Sequence, residues 1–330
     1  MFSFSASQFQ ARRLALGAGL VVLSFLPLAA GAGPYILGLL ISALILAGLA
    51  LSWSLLGNLG GMVSFGHAAF FGIGSYASAL LAARIGVPVL VAIPLGGLAA
   101  TVSSLVMLPA LRLSGPYFAL AILAYAQIFR ILATELSGLT GGAAGLQRFP
   151  GLPTLFGFNL ADRAGSYVLV LSCVALFVVI YVLLRRSHVG TALRAIAESE
   201  DATRVVGVNA TLLKSWMLML SAFMAGVFGA LNAHIIGFLE PDYAFSGLWS
   251  LMPIIAAVFG GYRSVLGPVF GAVVIYLFDQ MVAKNLIPVG HQILLGIVLA
   301  GMVLLAPNGL SGLMSRIRLP PRKEQRRAGA

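Results

Sequence analysis

The sequence predicts an all-α integral membrane protein, a polytopic bundle of about ten transmembrane helices (about eight to ten) with both termini in the cytoplasm. Hydrophobic residues make up 60% of the 330 residues and charged residues 9%, against roughly 25% charged residues in soluble domains. No Asp, Glu, Lys or Arg occurs from residue 14 to residue 83. Because one crossing of the hydrocarbon layer takes about 20 apolar residues, this run alone holds about three spans.

Apolar runs separated by glycine, proline and charged residues divide the chain into predicted crossings. These are 14–32, 35–56, 66–83, 88–110, 116–135, 166–184, 212–235, 246–260, 265–283 and 290–306. The first run follows two arginines and resembles a secretory signal. We interpret it as a span, because its removal would leave an odd number of crossings and upset the predicted topology. A version with eight spans, in which short runs such as 246–260 are re-entrant, keeps the same sidedness and stays open.

Basic residues lie mostly on one side of this topology. With the N-terminus inside, 15 of the 20 Lys and Arg residues are cytoplasmic and four are external, as the positive-inside rule expects. The net charge of +11 therefore indicates orientation in a membrane and not binding of nucleic acid. Residues 1–315 form one predicted transmembrane domain. We expect the basic tail 316–330 to be disordered and attracted to anionic membrane lipid.

The sequence contains no pattern of an enzyme. Acidic residues are too scattered for a paired-carboxylate site, and no Gly-rich loop ends in Gly-Lys-Ser/Thr, the pattern that binds ATP phosphates. The four histidines lack metal-ligand spacing, and the single Cys173 excludes an internal disulfide. We therefore expect no catalytic residue, no cofactor and no metal. Any active transport takes its energy from an ion gradient or from another polypeptide.

One internal segment is rich in charge. Eight charged residues lie between Arg185 and Lys214, in a loop (185–211) that the topology assigns to the cytoplasm. Its sequence predicts two short helices over 191–197 and 199–206, with Gly207 as the C-terminal glycine and Glu200 paired with Arg204 at i, i+4. Ala192, Ile196, Ala202 and Val206 are expected to form an apolar stripe. These features predict a surface helix that docks into a cytoplasmic partner.

Ionisable residues inside the predicted spans are few. Arg130, Asp279, His67 and His234 are the candidates for coupling to an ion gradient. Arg130 is near the outer end of its helix, where its side chain reaches the interface. Asp279 and Lys284 are expected at the outer boundary, solvated or paired. An ion-coupled secondary transporter is therefore the alternative hypothesis.

Two glycine-rich breaks have similar sequences. They read GGMVSFGHAAFFG from Gly60 and GGYRSVLGPVFG from Gly260, and both are predicted at cytoplasmic helix ends. They mark either a parallel internal repeat or a chance similarity. Because broken helices expose backbone polar groups, these breaks are candidates for the wall of a translocation path.

Several stretches together resemble a known family. The spacing Asp201-Ala202-Thr203-x-x-x-Gly207 is similar to the Glu-Ala-Ala-x-x-x-Gly loop of ABC importer permeases, although the proline of that loop is absent. The stretches 64–72 (SFGHAAFFG), 115–120 (GPYFAL), 140–146 (TGGAAGL) and 267–271 (GPVFG) resemble permeases of the branched-chain amino acid ABC transporter family. Within that family, the chain resembles the longer of two homologous permease subunits.

The resemblance implies a multi-pass permease of the cell (inner) membrane. Its implied partners are a second homologous permease, two cytoplasmic ATP-binding subunits and an extracytoplasmic substrate-binding protein. The implied cargo is a branched-chain amino acid or a related small polar solute, and urea or amide transport by the same kind of permease stays open. The implied ATPase-coupling residues are Arg194, Glu198, Glu200, Asp201, Ala202, Thr203 and Gly207.

Two further sets of candidate residues follow. The translocation-path candidates are Ser64, Gly66, His67, Phe70, Tyr76, Tyr117, Arg130, Gly260, Gly261, Ser264 and Gly267. The candidates for contact with the binding protein are Thr140, Gly141, Gly142, Glu240 and Asp242.

Overall fold

The computed structural model describes residues 27–29, 31–113, 115–155, 157–286, 290–305 and 309. Its longer helices are α1 (Pro34–Gly60), α2 (His67–Leu80), α3 (Val89–Ser104), α4 (Pro116–Glu135), α6 (Arg163–Arg186), α9 (Ala210–Ile236), α11 (Leu248–Gly260), α12 (Gly267–Phe278) and α14 (His291–Leu305). The short helices are α5 (Ser137–Thr140), α7 (His188–Glu198), α8 (Glu200–Val205), α10 (Pro241–Ala244) and α13 (Lys284–Leu286).

Irregular turns extend some of these helices. α2 and α12 each continue into a π-helical turn, Leu81–Ile85 and Asp279–Ala283, and α3 continues into a 3₁₀ segment, Leu105–Arg112. Another 3₁₀ turn spans Gly142–Ala144. Four two-residue strands complete the fold: β1 (Leu146–Gln147) pairs antiparallel with β4 (Phe238–Leu239), and β2 (Thr154–Leu155) pairs antiparallel with β3 (Phe158–Asn159).

The predicted all-α membrane fold is confirmed. Among the described residues, eight helices are long and apolar enough to cross a membrane: Pro34–Gly60, His67–Ile85, Val89–Arg112, Pro116–Glu135, Arg163–Arg186, Ala210–Ile236, Pro241–Gly260 and Gly267–Leu286. Most of the first predicted crossing, 14–32, lies outside the described residues. The last predicted crossing corresponds to α14, which has 15 residues. The total of ten crossings stays a prediction.

Helices α1 and α9 form the centre of the bundle. In each, 72% of the most apolar 18-residue window is buried, and the large buried side chains of the core include Leu55 and Phe228. α9 packs against α1, α2 and α3, whereas α1 also packs against α6, α11 and α12. Every other long helix of the described residues therefore packs against these two, directly or through one neighbour.

Small residues allow the closest helix contacts in this core. A Cβ added to Gly226 of α9 would lie 3.0 Å from the Cα of Gly97 and 2.6 Å from the Cβ of Ala100 on α3. A Cβ added to Gly74 of α2 would in turn overlap the backbone of Gly226. In lipid, helices associate through such close packing rather than through a hydrophobic force, so these glycines let three backbones meet.

Side-chain contacts sort the helix ends onto two sides, in agreement with the predicted alternation. On one side, Asn58 donates to the carbonyl of Arg263 at 3.4 Å, and Gly61 packs against Ala197. On the opposite side, Arg84 donates to the carbonyl of Gly138 at 2.6 Å. We call the first side cytoplasmic and the second outer, following the distribution of basic residues.

Candidate functional site

The charged cytoplasmic loop folds into two short helices, α7 and α8, which we call the coupling segment (residues 187–209). A serine caps each helix: the Ser187 hydroxyl accepts from the Gly190 N–H at 3.2 Å, and the Ser199 hydroxyl accepts from the Ala202 N–H at 3.4 Å. Serine side chains at this position satisfy backbone N–H groups that the first helical turn leaves open. The predicted pair of helices is confirmed, with α7 beginning three residues earlier than expected.

One face of α7 is buried against the bundle. Leu193 and Ile196 are buried, and α7 packs against α1 and α9. At Gly61, where α1 ends in a left-handed turn (φ 65°), an added Cβ would lie 3.1 Å from the Cα of Ala197. The coupling segment is thus held directly against the cytoplasmic end of the central helix α1.

Glu200 anchors α8 to the start of α9. Its carboxylate accepts from Arg204 at 2.7 Å, as the i, i+4 spacing predicts, and also pairs with the Lys214 ammonium. The hydrogen bond from Lys214 is the largest cause that holds the pKa of the Glu200 carboxyl below its usual range, and Arg204 adds to the effect. The carboxylate therefore bonds within α8 through Arg204 and links α8 to α9 through Lys214.

The C-terminal turn of α8 exposes an apolar patch. Val205 and Val206 are 87% and 76% exposed, and Ala202 on the same face is also exposed. Gly207 ends the helix with φ +84°, as predicted, and its N–H donates to the carbonyl of Arg204 at 3.0 Å. The single stripe expected from Ala192, Ile196, Ala202 and Val206 is wrong. Ile196 faces the bundle, whereas Ala202 and Val206 face solvent, because the Ser199 cap reorients α8.

The other predicted coupling residues lie around this patch. Arg194 donates to the carbonyl of Gly190 at 3.2 Å and to the Thr191 hydroxyl at 3.3 Å. Thr203 is buried, with its hydroxyl donating to the Ser199 carbonyl at 2.7 Å. Glu198 and Asp201 are exposed.

A large cytoplasmic groove separates the coupling segment from the α3–α4 junction. Its volume is about 1080 Å³. Glu198, Asp201 and Arg204 line one wall, and apolar residues of the first glycine break and of α4, such as Phe65 and Leu120, line the other. The groove therefore has one mainly charged wall and one mainly apolar wall, to which Arg112 adds a positive charge.

The first glycine break places its polar residues inside the core. His67 is fully buried, with Nδ1 3.1 Å from the Ser64 hydroxyl and Nε2 3.0 Å from the Ser221 hydroxyl. Ser221 donates onward to the carbonyl of Ser52 at 3.0 Å. Because the Ser221 hydroxyl donates to Ser52, it accepts from His67, which places the imidazole proton on Nε2. Through Ser221, His67 joins α2 to α9 and α1.

The remaining candidates of this region differ in exposure. Phe70 and Tyr76 are buried, and the Tyr76 ring is stacked on that of Phe245 with 5.9 Å between the ring centroids. Gly66 packs against the backbone of Ile122 in α4. Tyr117, in contrast, is 69% exposed on α4.

The second glycine break resembles the first in its order of residues and is less buried. Gly260 is packed against the carbonyl of Gly267, and Gly261 turns the chain with φ 97°. The Ser264 hydroxyl accepts from the Gly267 N–H at 2.8 Å. Each break is followed by a helix that ends in a π-helical turn. The internal repeat stays a prediction, which this shared order supports.

On the outer side, the two loops expected to contact a binding protein lie together. The pairing of β1 with β4 brings residues 140–147 next to residues 238–242, and Gly145 is packed against the carbonyl of Leu239. Thr140 donates to the carbonyl of Ala133 at 2.6 Å, and the turn continues through Gly141 and Gly142 with positive φ. Glu240 directly precedes α10, which carries Asp242.

Arg130 pairs with Asp242 in this outer region. Its Nη2 lies 2.8 Å and its Nε 2.9 Å from the same carboxylate oxygen, Oδ1. Gln127, Thr134 and Glu135 line the same cavity, whose volume is about 390 Å³. Sequence reasoning proposed Arg130 and Asp242 for separate roles and did not predict that they meet.

The other intramembrane ionisable groups are buried. His234 lies 2.9 Å from the Ser78 hydroxyl and 2.7 Å from the carbonyl of Pro150. Asp279 was expected at the outer boundary, solvated or paired. It is not solvated, since it is 3% exposed, and its Oδ1 lies 3.7 Å from Nε2 of His291, because α14 packs against the π-helical turn. Within the described residues, no group of three potential metal ligands occurs.

Sequence reasoning missed Lys214 and Ser221 as partners of Glu200 and His67. Neither has a local signal, since each meets its partner across the fold. The capping role of Ser199 was recognisable in the sequence, because this serine precedes two acidic residues, a pattern typical of a helix start.

Comparison with known proteins identifies the family. Residues 35–306 match the family model of the branched-chain amino acid transport system permease component. The chain belongs to this family. It is 30% identical over 277 residues to the high-affinity branched-chain amino acid transport system permease proteins LivM of Salmonella typhimurium and of Escherichia coli. In both cases the match covers 77% of this chain and 64% of the relative.

A third relative is covered over most of its length. The permease protein BraD of Pseudomonas aeruginosa is 26% identical over 286 residues, which is 80% of this chain and 90% of BraD. No solved structure matches the chain. Together with its apolar helices, the family membership makes this chain a multi-pass membrane protein.

Proposed function

We propose that this chain is one permease subunit of a binding-protein-dependent ABC importer of the inner membrane, which carries branched-chain amino acids or related small polar solutes. A second homologous permease completes the path, two cytoplasmic ATP-binding subunits supply the energy, and an external binding protein delivers the solute. The named relatives support the substrate class. The absence of a phosphate-binding loop from the sequence supports an external source of energy.

The observation that carries the proposal is the exposed patch of Ala202, Val205 and Val206. Exposure of valine side chains to water is unfavourable, and burial against a partner lowers the free energy. The charges around the patch, Glu198, Asp201 and Arg204, keep the segment out of the membrane. This combination favours a protein partner over lipid.

The attachments of the coupling segment suggest how movement of the ATP-binding subunits reaches the path. The segment continues directly from α6, packs on α1 at Gly61, and is joined to α9 by Glu200 and Lys214. A displacement of α8 therefore acts on the two central helices. Nucleotide-driven switching of access requires an element with two positions, and the coupling segment is our candidate for that element.

Reconstitution tests this proposal. The chain is expressed with its candidate permease and ATP-binding partners, purified through a tag on the chain, and placed in proteoliposomes with the binding protein. We expect the ATP-binding subunits to co-purify and uptake of L-leucine to require ATP. Gradient-driven uptake by this chain alone, without ATP-binding subunits, would contradict the proposal and favour a secondary transporter.

A further inference from the structure

The outer cavity combines a basic and an acidic side chain at the outer ends of two helices. Arg130 is 46% exposed and Asp242 is 73% exposed, and both lie on the wall of the cavity of about 390 Å³. Ligand sites for small molecules fall at about 300–1,000 Å³. An arginine on the surface of a membrane helix is normally placed toward a polar pathway or another protein. The cavity therefore has the size and the polarity of a site for a small charged solute.

The pair leaves binding capacity on both partners. Both hydrogen bonds from Arg130 end on one carboxylate oxygen, Oδ1. In the usual bidentate arginine–carboxylate pair, each carboxylate oxygen accepts one hydrogen bond. A guanidinium has five N–H donors, and a carboxylate has two acceptor oxygens. Each group can bind a further charged group without first losing all contact with the other.

The neighbours of the pair form two kinds of wall. Gln127, Thr134 and Glu135 supply polar groups, with Glu135 adding a second carboxylate near Asp242. Ile131, Ala143 and Pro241 supply an apolar wall. An acidic side, a basic side and an apolar side match the ammonium, the carboxylate and the aliphatic side chain of an α-amino acid.

A single face of α4 connects this cavity with the cytoplasmic groove. Leu120, Leu123, Gln127, Arg130 and Thr134 follow one another at intervals of three and four residues, which places them on one side of a helix. The first two line the groove, and the last three line the outer cavity. The face is thus continuous from one side of the bundle to the other.

We propose that the cavity between α4 and α10 receives the zwitterionic head group of an α-amino acid, with the carboxylate on Arg130 and the ammonium on Asp242 and Glu135. In the absence of solute, the two side chains neutralise one another. The solute inserts between them, so that a molecule with only one charge leaves the opposite side chain without a partner. The inference rests on the proposed import function and assigns its outer solute site.

Uptake of radiolabelled L-leucine by the reconstituted complex tests the site. We expect Arg130→Gln and Asp242→Asn to lower the maximal uptake rate at saturating binding protein by about tenfold or more, since hydrogen bonds between charged groups have this magnitude. Arg130→Lys keeps the charge but loses the planar guanidinium, so we expect an intermediate loss of uptake rate. Arg148→Gln and Asp162→Asn are the matched controls, because both change exposed charges of the outer side that are not in the cavity.

Two measurements separate this role from docking and from a structural ion pair. If the pair only docks the binding protein, the variants raise the half-saturating concentration of that protein and recover the full rate at saturation. If the pair is only structural, the double variant Arg130→Asp with Asp242→Arg restores uptake. Either result overturns the proposal, whereas we expect neither, because the apolar wall fixes the orientation of the solute.

The outcome also remains separate from that of the proposed function. Absence of ATP-dependent L-leucine uptake by the unsubstituted complex would contradict the proposed function. Normal unsubstituted uptake together with equal rates for Arg130→Gln and Arg148→Gln would contradict only the zwitterion site. Yield of the co-purified complex reports folding, and Asp242→Asn, in the short helix α10, gives a second test if Arg130→Gln assembles poorly.

Discussion

At the cytoplasmic side, α8 leaves Val205 and Val206 exposed and is tied to the bundle through one carboxylate, Glu200. At the outer side, by contrast, the loops are bonded to one another. β1 pairs with β4, and Arg84 donates to the carbonyls of Gly138 and Leu139. The polar groups of the outer loops are thus largely satisfied by bonds to one another, whereas the cytoplasmic segment presents apolar surface that no described residue covers.

The difference separates two kinds of surface that look alike in sequence, since both are polar loops between apolar runs. A loop whose backbone is bonded internally forms a rigid platform. A short helix that is anchored at one point and exposes valines is suited to bind and follow a moving partner. Substitutions matched between the two sides test this contrast.

The largest effect is expected at the glycines that end α8 and α9. Gly207 and Gly237 have φ of +84° and +75°, and an added Cβ at either meets no atom within 4 Å. Proline cannot adopt positive φ and lacks the N–H, at a local cost of about 3 kcal/mol or more in either place. We expect Gly207→Pro to abolish L-leucine uptake per ATP hydrolysed and Gly237→Pro to leave that ratio unchanged. Equal ratios in the two variants would remove the distinction between the sides.

A smaller effect is expected from a charge in the apolar patch. Val206→Asp places a carboxylate where a partner would bury a methyl surface, and we expect about tenfold weaker association with the ATP-binding subunits, measured by co-purification or surface binding. Val189→Asp is the control, since Val189 is also exposed (44%) but lies on α7. Similar weakening by both would indicate a general effect of negative charge on the segment.

The smallest effect concerns stability. Glu200→Gln removes both ion pairs of a partly exposed carboxylate, and we expect a loss of about 1 kcal/mol of unfolding free energy near neutral pH. Because the pKa of Glu200 is below its ordinary value of 4.5 in the folded protein, the stabilisation is present above that value and lost as the pH falls through the lowered one. Thermal unfolding against pH measures this.

The matched variant is Glu198→Gln, which alters an exposed carboxylate of the same segment. We expect its unfolding temperature to follow that of the unsubstituted chain. A constant difference between Glu200→Gln and the unsubstituted chain from neutral to acidic pH would show that the carboxylate charge does not stabilise the fold.

Local features were predictable from the sequence, because they depend on residues a few positions apart. The two helices of the coupling segment, the pairing of Glu200 with Arg204 and the left-handed turn at Gly207 are of this kind. Apolar runs likewise predicted the membrane helices, since the thickness of the membrane sets their length.

Contacts between distant residues were not predictable. Arg130 and Asp242 are 112 positions apart, and His67 and Ser221 are 154 apart, so no spacing rule brings them together. The direction of the patch on α8 was also missed. A stripe of small apolar residues does not indicate whether it faces the bundle or a second protein, and only the packing of Leu193 and Ile196 against the bundle decides it.

The cytoplasmic groove has a mechanical consequence. Close-packed elements move together, because a displacement of one element is transmitted through its packing contacts to the next. The coupling segment packs directly against α1 and α9. A groove of about 1080 Å³ separates it from the cytoplasmic end of α4. The groove leaves room for the coupling segment to move toward α4 without contact. We therefore expect the proposed motion to displace α1 and α9 before it reaches α4, the helix that carries Arg130.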